Sequence, residues 1–209
     1  MKLVRLAVVT LGLLAATSAF AQKGEGIYGI QINSGTADLY SGPSGGYISA
    51  YDHSEVGVGI QYWRLLSNDY AFNFSAGIGY FGETDKPGTA APIGAQDFKY
   101  TQSSWNVRVG GDRAEKIGDR AVIYFGPGIE YWSGKAKFDN GTTSTETQNV
   151  SRIGISGRIG GMMMLGEHVG LNVQAGHYVS MASASENGAK ASWWPSGFQA
   201  SGGLCFRSK

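Results

Sequence analysis

Three side chains in the last fifth of the chain could in principle form a hydrolytic site. His177, Ser180 and Glu186 supply a base, a nucleophile and an acid, the groups that activate a serine for attack on an acyl ester. Side chains alternate between faces along an extended strand, so residues three apart point to opposite sides. Only a β-bulge or an early strand end between them would restore a shared face. We therefore expect no enzymatic activity and keep these residues as the sole catalytic candidates.

A second group of residues could carry charge inside a barrel. Four charged side chains share one face of their predicted strands, namely Arg108, Glu130, Arg152 and Arg158. A hairpin symmetric about Gly141 would place Glu130 opposite Arg152 and Tyr124 opposite Arg158. Polar residues on the same face extend the group: Gln61, Asn73, Asn172 and Gln174. The group could select ions in a channel or plug a narrow lumen, and we favour the plug because eight strands enclose little more than side chains.

Other kinds of site are excluded by composition and spacing. One cysteine, Cys205, and three widely separated histidines predict no metal site and no cofactor. The G-x-G-x-x-G match at 77–82 precedes a loop instead of a helix, so it does not indicate dinucleotide binding. With 17 basic and 16 acidic residues, the chain has no excess of positive charge for nucleic acid.

The first 21 residues have the features of a secretory signal peptide. Lys2 and Arg5 precede an apolar run, and Ala19-Phe20-Ala21 forms an A-x-A cleavage site. The run is shorter than the roughly 20 residues that a membrane-spanning helix needs. Removing Lys2 and Arg5 from the 17 basic residues leaves 15 against 16 acidic ones, so residues 22–209 would form one nearly neutral domain.

Alternation with a period of two dominates the rest of the sequence and predicts eight strands. The alternating segments are 28–33, 56–62, 70–81, 104–109, 123–131, 152–159, 169–176 and 198–206. In each, bulky aliphatic and aromatic residues oppose Gly, Ser, Asn, Gln and a few charges. The bulky face must avoid water, since each exposed Val, Leu, Ile or Phe forgoes about 1.5–3 kcal/mol. The pattern therefore predicts apolar side chains facing lipid and small polar ones filling the lumen.

Dimensions, loops and aromatic residues support a membrane barrel. Nine residues from Phe72 to Tyr80 rise about 23 Å at a tilt near 40°, close to the ~25 Å apolar band of such barrels. Long predicted loops at 34–54, 83–98, 133–149 and 182–195 alternate with short turns at 67–69, 113–120 and 166–168. Aromatic residues predicted at the two membrane interfaces include Tyr62, Trp63, Tyr80, Trp132, Trp193 and Trp194.

On these features the chain resembles the small eight-stranded outer-membrane β-barrel proteins, a porin-like group. It includes the membrane domain of outer-membrane protein A, the outer-membrane protein X group and the opacity proteins. The resemblance implies an all-β, antiparallel, up-and-down transmembrane barrel in the cell outer membrane of a Gram-negative bacterium. It also implies contact with outer-membrane lipids and lipopolysaccharide, and a monomer.

For function, the resemblance favours an envelope-structural or surface-interaction role through four extracellular loops, with a host or surface ligand as a possible partner. A narrow channel for small solutes is one alternative. The other is a lipid A hydrolase, because some lipid A deacylases resemble this chain in architecture and carry a Ser-His-Glu triad on the outer wall. Their His and Ser lie two residues apart, whereas Val179 occupies that position here.

Overall fold

The computed structural model describes residues 26–38, 52–67, 69–85, 98–139, 144–186 and 189–208. The predicted signal peptide lies outside these residues. Nine strands are present: β1 (Gly26–Asp38), β2 (Asp52–Leu65), β3 (Tyr70–Asp85), β4 (Phe98–Ile117), β5 (Ala121–Asp139), β6 (Ser144–Met164), β7 (Val169–Glu186), β8 (Ala189–Trp193) and β9 (Ser196–Arg207). Within the described part, no helix is long and apolar enough to span a membrane.

The strands close into one antiparallel barrel. Each strand from β1 to β7 pairs with the next in sequence, and β1 closes the ring by pairing with β9. Short β8 and longer β9 run end to end along β7, so they form a single interrupted eighth strand. The interruption falls at Trp194 and Pro195, where the Ser180 backbone N–H donates to the Pro195 carbonyl at 3.0 Å. The predicted eight-stranded, up-and-down architecture is confirmed.

The predicted direction of the two faces is also confirmed. Bulky side chains face outward along β1–β7 and β9; for example, Ile32, Ile78, Ile129 and Ile155 are each more than 60% exposed. Polar side chains on the opposite face point inward and are buried. Within the apolar belt of a membrane, this arrangement keeps the ladder hydrogen bonds and the outward-facing apolar side chains away from water.

Short connections lie at one end of the barrel, which we call the short-turn end. They comprise residues 66–69, 118–120 and 165–168, and both described chain termini lie at the same end. Gly118 has a φ of 63°, a left-handed conformation that favours glycine in a tight turn. The predicted turn at 113–120 is wrong in extent, because β4 stays paired with β5 as far as Ile117.

The opposite end, the hairpin end, carries strand where the sequence predicted loops. Residues 133–149 were predicted as a loop, yet β5 and β6 remain paired out to Asp139 and Ser144. Likewise, most of the predicted loop at 182–195 consists of the β7–β8 hairpin. Strands β4, β5 and β6 contain 20, 19 and 21 residues, about twice the 9–11 needed to span a bilayer. Beyond Tyr131, β5 therefore projects about 20 Å past the apolar belt.

Candidate functional site

The lumen near the short-turn end is crossed by a network of buried polar groups centred on Asp112. The Asp112 carboxylate forms an ion pair with Arg158 and accepts a 3.1 Å hydrogen bond from the indole N–H of Trp63. Arg158 also donates to Gln174 at 2.7 Å, and its guanidinium lies 4.9 Å from the centre of the Tyr124 ring. The ion pair is almost completely shielded, with side-chain exposures of 4% for Arg158 and 0% for Asp112. We call this group the Asp112 layer.

Uncharged side chains complete the Asp112 layer. The Tyr124 hydroxyl donates to Asn172 at 2.8 Å, and the Asn172 amide donates to Gln61 at 2.6 Å. Gln174 donates to Ser201 at 2.8 Å. The Tyr124–Asn172 and Asn172–Gln61 bonds join strands that are not neighbours, β5 with β7 and β7 with β2, so the layer ties the barrel together across its interior. Gln61, Asn172 and Gln174, which were expected to extend the lumen network, are members of this layer.

An apolar cluster lies between the Asp112 layer and the short-turn end. Its buried members are Ile27, Trp63, Ala71, Ala114, Tyr124, Met162, Met164 and Cys205. Together with the layer, this cluster fills the short-turn half of the lumen. Cys205, predicted on the lumen face, is 1% exposed.

Burial of Cys205 predicts a simple protection pattern. We expect a water-soluble maleimide to leave Cys205 unlabelled in the folded barrel and to label it fully in denaturant, because the apolar cluster excludes the reagent. Mass spectrometry of the two samples measures the difference. Rapid labelling of the folded protein would mean that the cluster does not seal this end of the lumen.

Arg108 occupies the middle of the barrel. Its guanidinium donates to Ser156 at 2.9 Å and to the side-chain oxygen of Asn73. Room for it comes from Gly128 on β5, where an added Cβ would lie 2.6 Å from the guanidinium carbon. Arg108 is paired in the ladder with Glu130, but the two side chains find different partners. Arg108 therefore joins the predicted network through uncharged groups.

A second layer crosses the lumen toward the hairpin end, which we call the Glu130 layer. Both carboxylate oxygens of Glu130 accept from Gln199, at 2.8 and 2.7 Å. Arg152 lies 3.8 Å from Glu130 and donates to the Tyr178 hydroxyl at 2.7 Å. The Arg152 guanidinium also stacks against the rings of Tyr178 and Trp132, at 4.0 and 4.8 Å from their centroids. Stacking and hydrogen bonds together compensate the buried charge.

The predicted cross-strand pairs around Gly141 are wrong, since Glu130 pairs with Gly154 and Tyr124 with Gly160. The pairing of Asp139 with Ser144 already displaces the ladder by one residue from a hairpin symmetric about Gly141, and a register shift between Lys135 and Lys137 displaces it by one more. Such irregularities follow from local backbone geometry that a symmetric hairpin model omits. Glu130 and Arg152 still interact, although their side chains must reach along the lumen to do so.

A polar cavity of about 80 Å³ lies between the two layers. Arg108, Glu130, Arg152 and Glu55 are among the residues that line it. A cavity of this size and polarity holds several water molecules. Side chains of the Asp112 layer and of the Glu130 layer line this cavity on its two sides.

Two carboxylates of the lumen were missed by the sequence reasoning. Asp112 continues the inward alternation of Arg108 and Gly110, but it fell in a segment interpreted as leading into a turn. Glu55 continues the alternation of Gly57 and Gln61 one position before the predicted strand, and it accepts a hydrogen bond from the Ser104 hydroxyl. Extending the alternation of β2 and β4 beyond their apolar residues would have predicted both carboxylates in the lumen.

The predicted interfacial aromatics divide between the two faces. Tyr62, Tyr80 and Trp194 lie on the outward side, with Tyr80 and Trp194 exposed and Tyr62 beside Tyr28. Trp63 and Trp132 were predicted at the interfaces and instead point into the lumen, 3% and 2% exposed. Each follows directly after an outward-facing residue, so strand alternation turns it inward. Trp193 belongs to β8, but its side chain lies outside the described residues.

His177 and Ser180, the two catalytic candidates whose side chains are described, do not lie together. His177 is exposed on the outer wall, where its ring meets Phe198 edge-on at 4.8 Å. Ser180 is 3% exposed, points inward and donates to the Pro195 carbonyl at 3.4 Å. The ladder from β6 to β7 is regular through this region, without a bulge that would turn the two side chains to one face. The Glu186 side chain lies outside the described residues.

Closed antiparallel topology and the lipid-facing apolar belt define an outer-membrane β-barrel. The chain belongs to the outer membrane protein beta-barrel domain family, whose model matches residues 6–205. Its location is accordingly the outer membrane, where short turns face the periplasm and projecting hairpins face outward.

Two solved structures share the fold. Ail, the attachment invasion locus protein of Yersinia pestis, solved with the heparin analogue sucrose octasulfate, is 16% identical, with a TM-score of 0.50; the match covers 90% of this chain and 100% of Ail. OprG from Pseudomonas aeruginosa is 13% identical, with a TM-score of 0.50, and the match covers 90% of this chain and 97% of OprG. These identities show the fold alone. No curated protein sequence matches the chain.

Proposed function

We propose that the protein is a non-enzymatic outer-membrane protein whose role is carried by the surface of its projecting hairpins. Within that role it acts as an envelope-structural or surface-interaction component, as a monomer in contact with lipopolysaccharide. Export would rely on residues 1–21 as a signal peptide. The observation that carries the proposal is the length of β4, β5 and β6, which extend far beyond the apolar belt at the hairpin end.

The contents of the lumen argue against a channel. The Asp112 layer and the apolar cluster occupy its short-turn half, and the Glu130 layer crosses the other half. An ion passing through would have to displace buried ion pairs, which costs several kcal/mol per unpaired charge. We expect no steady conductance from the purified protein in a planar lipid bilayer. Regular, voltage-stable channel openings would contradict the proposal.

The projecting hairpins offer charged surface above the membrane. Lys99, Lys135 and Lys137 are exposed on the outward faces of β4 and β5, beyond the Trp105–Tyr131 ring pair. Sulfated saccharides are a fitting probe, since lysines bind such anions and the Ail structure contains sucrose octasulfate. Sulfate-bearing surfaces are therefore the first ligand class to test.

Heparin-column retention of refolded protein tests this surface. The β5–β6 hairpin can be shortened by replacing residues 136–148 with Asn-Gly, because Lys135 and Asn149 are paired and can flank a two-residue turn. We expect this variant, and Lys135→Gln combined with Lys137→Gln, to elute at lower salt than wild type. Lys116→Gln, at the short-turn end, is the control and should elute with wild type. Identical elution of all four proteins would remove sulfated ligands from the proposal.

The hydrolase alternative has its own test at His177. We expect His177→Ala to leave the lipid A acylation pattern unchanged, because His177 and Ser180 lie on opposite faces of the wall. Mass spectrometry compares lipid A from cells expressing wild type, the variant or neither. An acyl chain that is lost with wild type and retained with His177→Ala would make the protein a hydrolase.

A further inference from the structure

The lipid-facing wall contains an apolar depression on the side formed by β1, β5, β6, β7 and β9. It has two adjoining parts, both shallow and open to the surroundings, which share Ile159 and Ala175. Small residues line its floor, and an added Cβ at Gly157 would meet nothing within 4 Å. Phe125, Ile159 and Phe198 line it with exposed side chains. The depression lies among outward-facing residues of the apolar belt, so hydrocarbon is what fills it in a membrane.

His177 lies at one edge of this depression and differs from the apolar and small residues around it because its side chain is polar and ionisable. Its imidazole is exposed on the outer wall. In the described part of the chain it contacts the rings of Phe198 and Tyr178, at 4.8 and 6.5 Å between centroids, and no group hydrogen-bonds to it. A polar ring without a partner is unfavourable in hydrocarbon, and an ionisable residue that faces lipid usually serves a function. The missing partner must therefore come from the membrane.

The position of His177 along β7 indicates which leaflet supplies that partner. On β7 the outward-facing residues before the polar Ser183 follow one another from the short-turn end as Val169, Leu171, Val173, Ala175, His177, Val179 and Met181. His177 is fifth of these seven, beyond the middle of the belt toward the hairpin end. In outer-membrane barrels that end faces outward. His177 thus lies at the depth of the outer-leaflet acyl chains.

We propose that the depression and His177 form a binding site for one acyl chain of an outer-leaflet glycolipid such as lipid A. The chain lies along Gly157 and Ala175, and an ester or hydroxyl oxygen near its base hydrogen-bonds to the His177 ring. No bond is made or broken in the lipid. The site rests on the lipopolysaccharide contact proposed above, but its test is separate from that of the surface role, because it uses the lipid-facing wall and none of the projecting hairpins.

Native mass spectrometry of the refolded barrel with purified lipid A tests the proposal. We expect wild type to retain one lipid A, and His177→Phe, which keeps a ring against Phe198, to retain about five- to tenfold less, as loss of one hydrogen bond implies. Gly157→Leu should lower retention similarly by filling the depression. Matched controls are Val179→Phe and Gly111→Leu, which change outward-facing residues outside the depression. Both should retain lipid A like wild type.

Three results would overturn the proposal. The first is equal retention by wild type, His177→Phe and Gly157→Leu. The second is phosphatidylethanolamine retained as well as lipid A, since the site would then not be specific for the outer-leaflet glycolipid. The third is a shortened lipid A after incubation with wild type, which would make the site catalytic. Heat-modifiability on gels, run on every variant, verifies that each has folded before retention is compared.

Discussion

Asp112→Ala is expected to destabilise the barrel by about 3–5 kcal/mol, because it leaves the Arg158 guanidinium buried without its carboxylate. The indole N–H of Trp63 loses its acceptor at the same time. Both groups lie in the part of the lumen that the apolar cluster seals, so water cannot readily replace the carboxylate. The free energy of unfolding in lipid vesicles, measured by denaturant titration and Trp fluorescence, reports the change.

Two further variants separate the buried pair from general effects. Asp119→Ala removes an exposed carboxylate from the nearby turn and should change stability by less than about 0.5 kcal/mol. Asp112→Leu combined with Arg158→Met replaces both charges with apolar side chains and should cost much less than Asp112→Ala. An Asp112→Ala variant as stable as wild type would show that the Asp112 layer does not hold the lumen together.

Val109→Arg is expected to lower the free energy of unfolding by about 2–4 kcal/mol, the cost of an arginine at the bilayer midplane on the lipid face of a barrel. Val109 lies four residues from Arg113 and four from Trp105 on the outward face of β4. Its ladder partners are Phe74 on β3 and Ile129 on β5, both among bulky lipid-facing residues. The new guanidinium would therefore point into the lipid acyl chains.

Ser103→Arg provides the matched control on the same strand and face. Ser103 lies beyond Trp105, outside the apolar belt, and is exposed. Arginine there should change stability by no more than about 1 kcal/mol, the value expected near an interface. If the ranking of the two variants were reversed in vesicle unfolding, the lipid-facing belt would not lie where the alternation of β4 places it.

The sequence by itself determined the architecture and which face of each strand meets lipid. Alternation with a period of two is a local property, because neighbouring side chains of a strand must point to opposite sides. Large apolar residues such as Ile78 and Ile155 could not face water or a lumen this narrow, so their direction followed from solvation alone. The inward direction of Arg108, Glu130, Arg152 and Arg158 followed from the same alternation.

Tertiary structure alone decided which of those inward side chains meet. The centre of the β5–β6 hairpin and the register shift near Lys135 together move Arg152 away from the position predicted opposite Glu130. Arg158 forms its ion pair with Asp112, which lies on a strand that is not its neighbour. Contacts across a lumen depend on barrel closure and strand stagger, which sum over all eight strands. Trp63 and Trp132 were assigned to the interfaces by residue type, whereas their position one residue after an outward-facing side chain turned them inward. Tryptophan as a residue type favours a membrane interface. The alternation of side chains along a closed wall nevertheless decides the direction of each tryptophan, because a strand cannot turn one side chain without turning its neighbours.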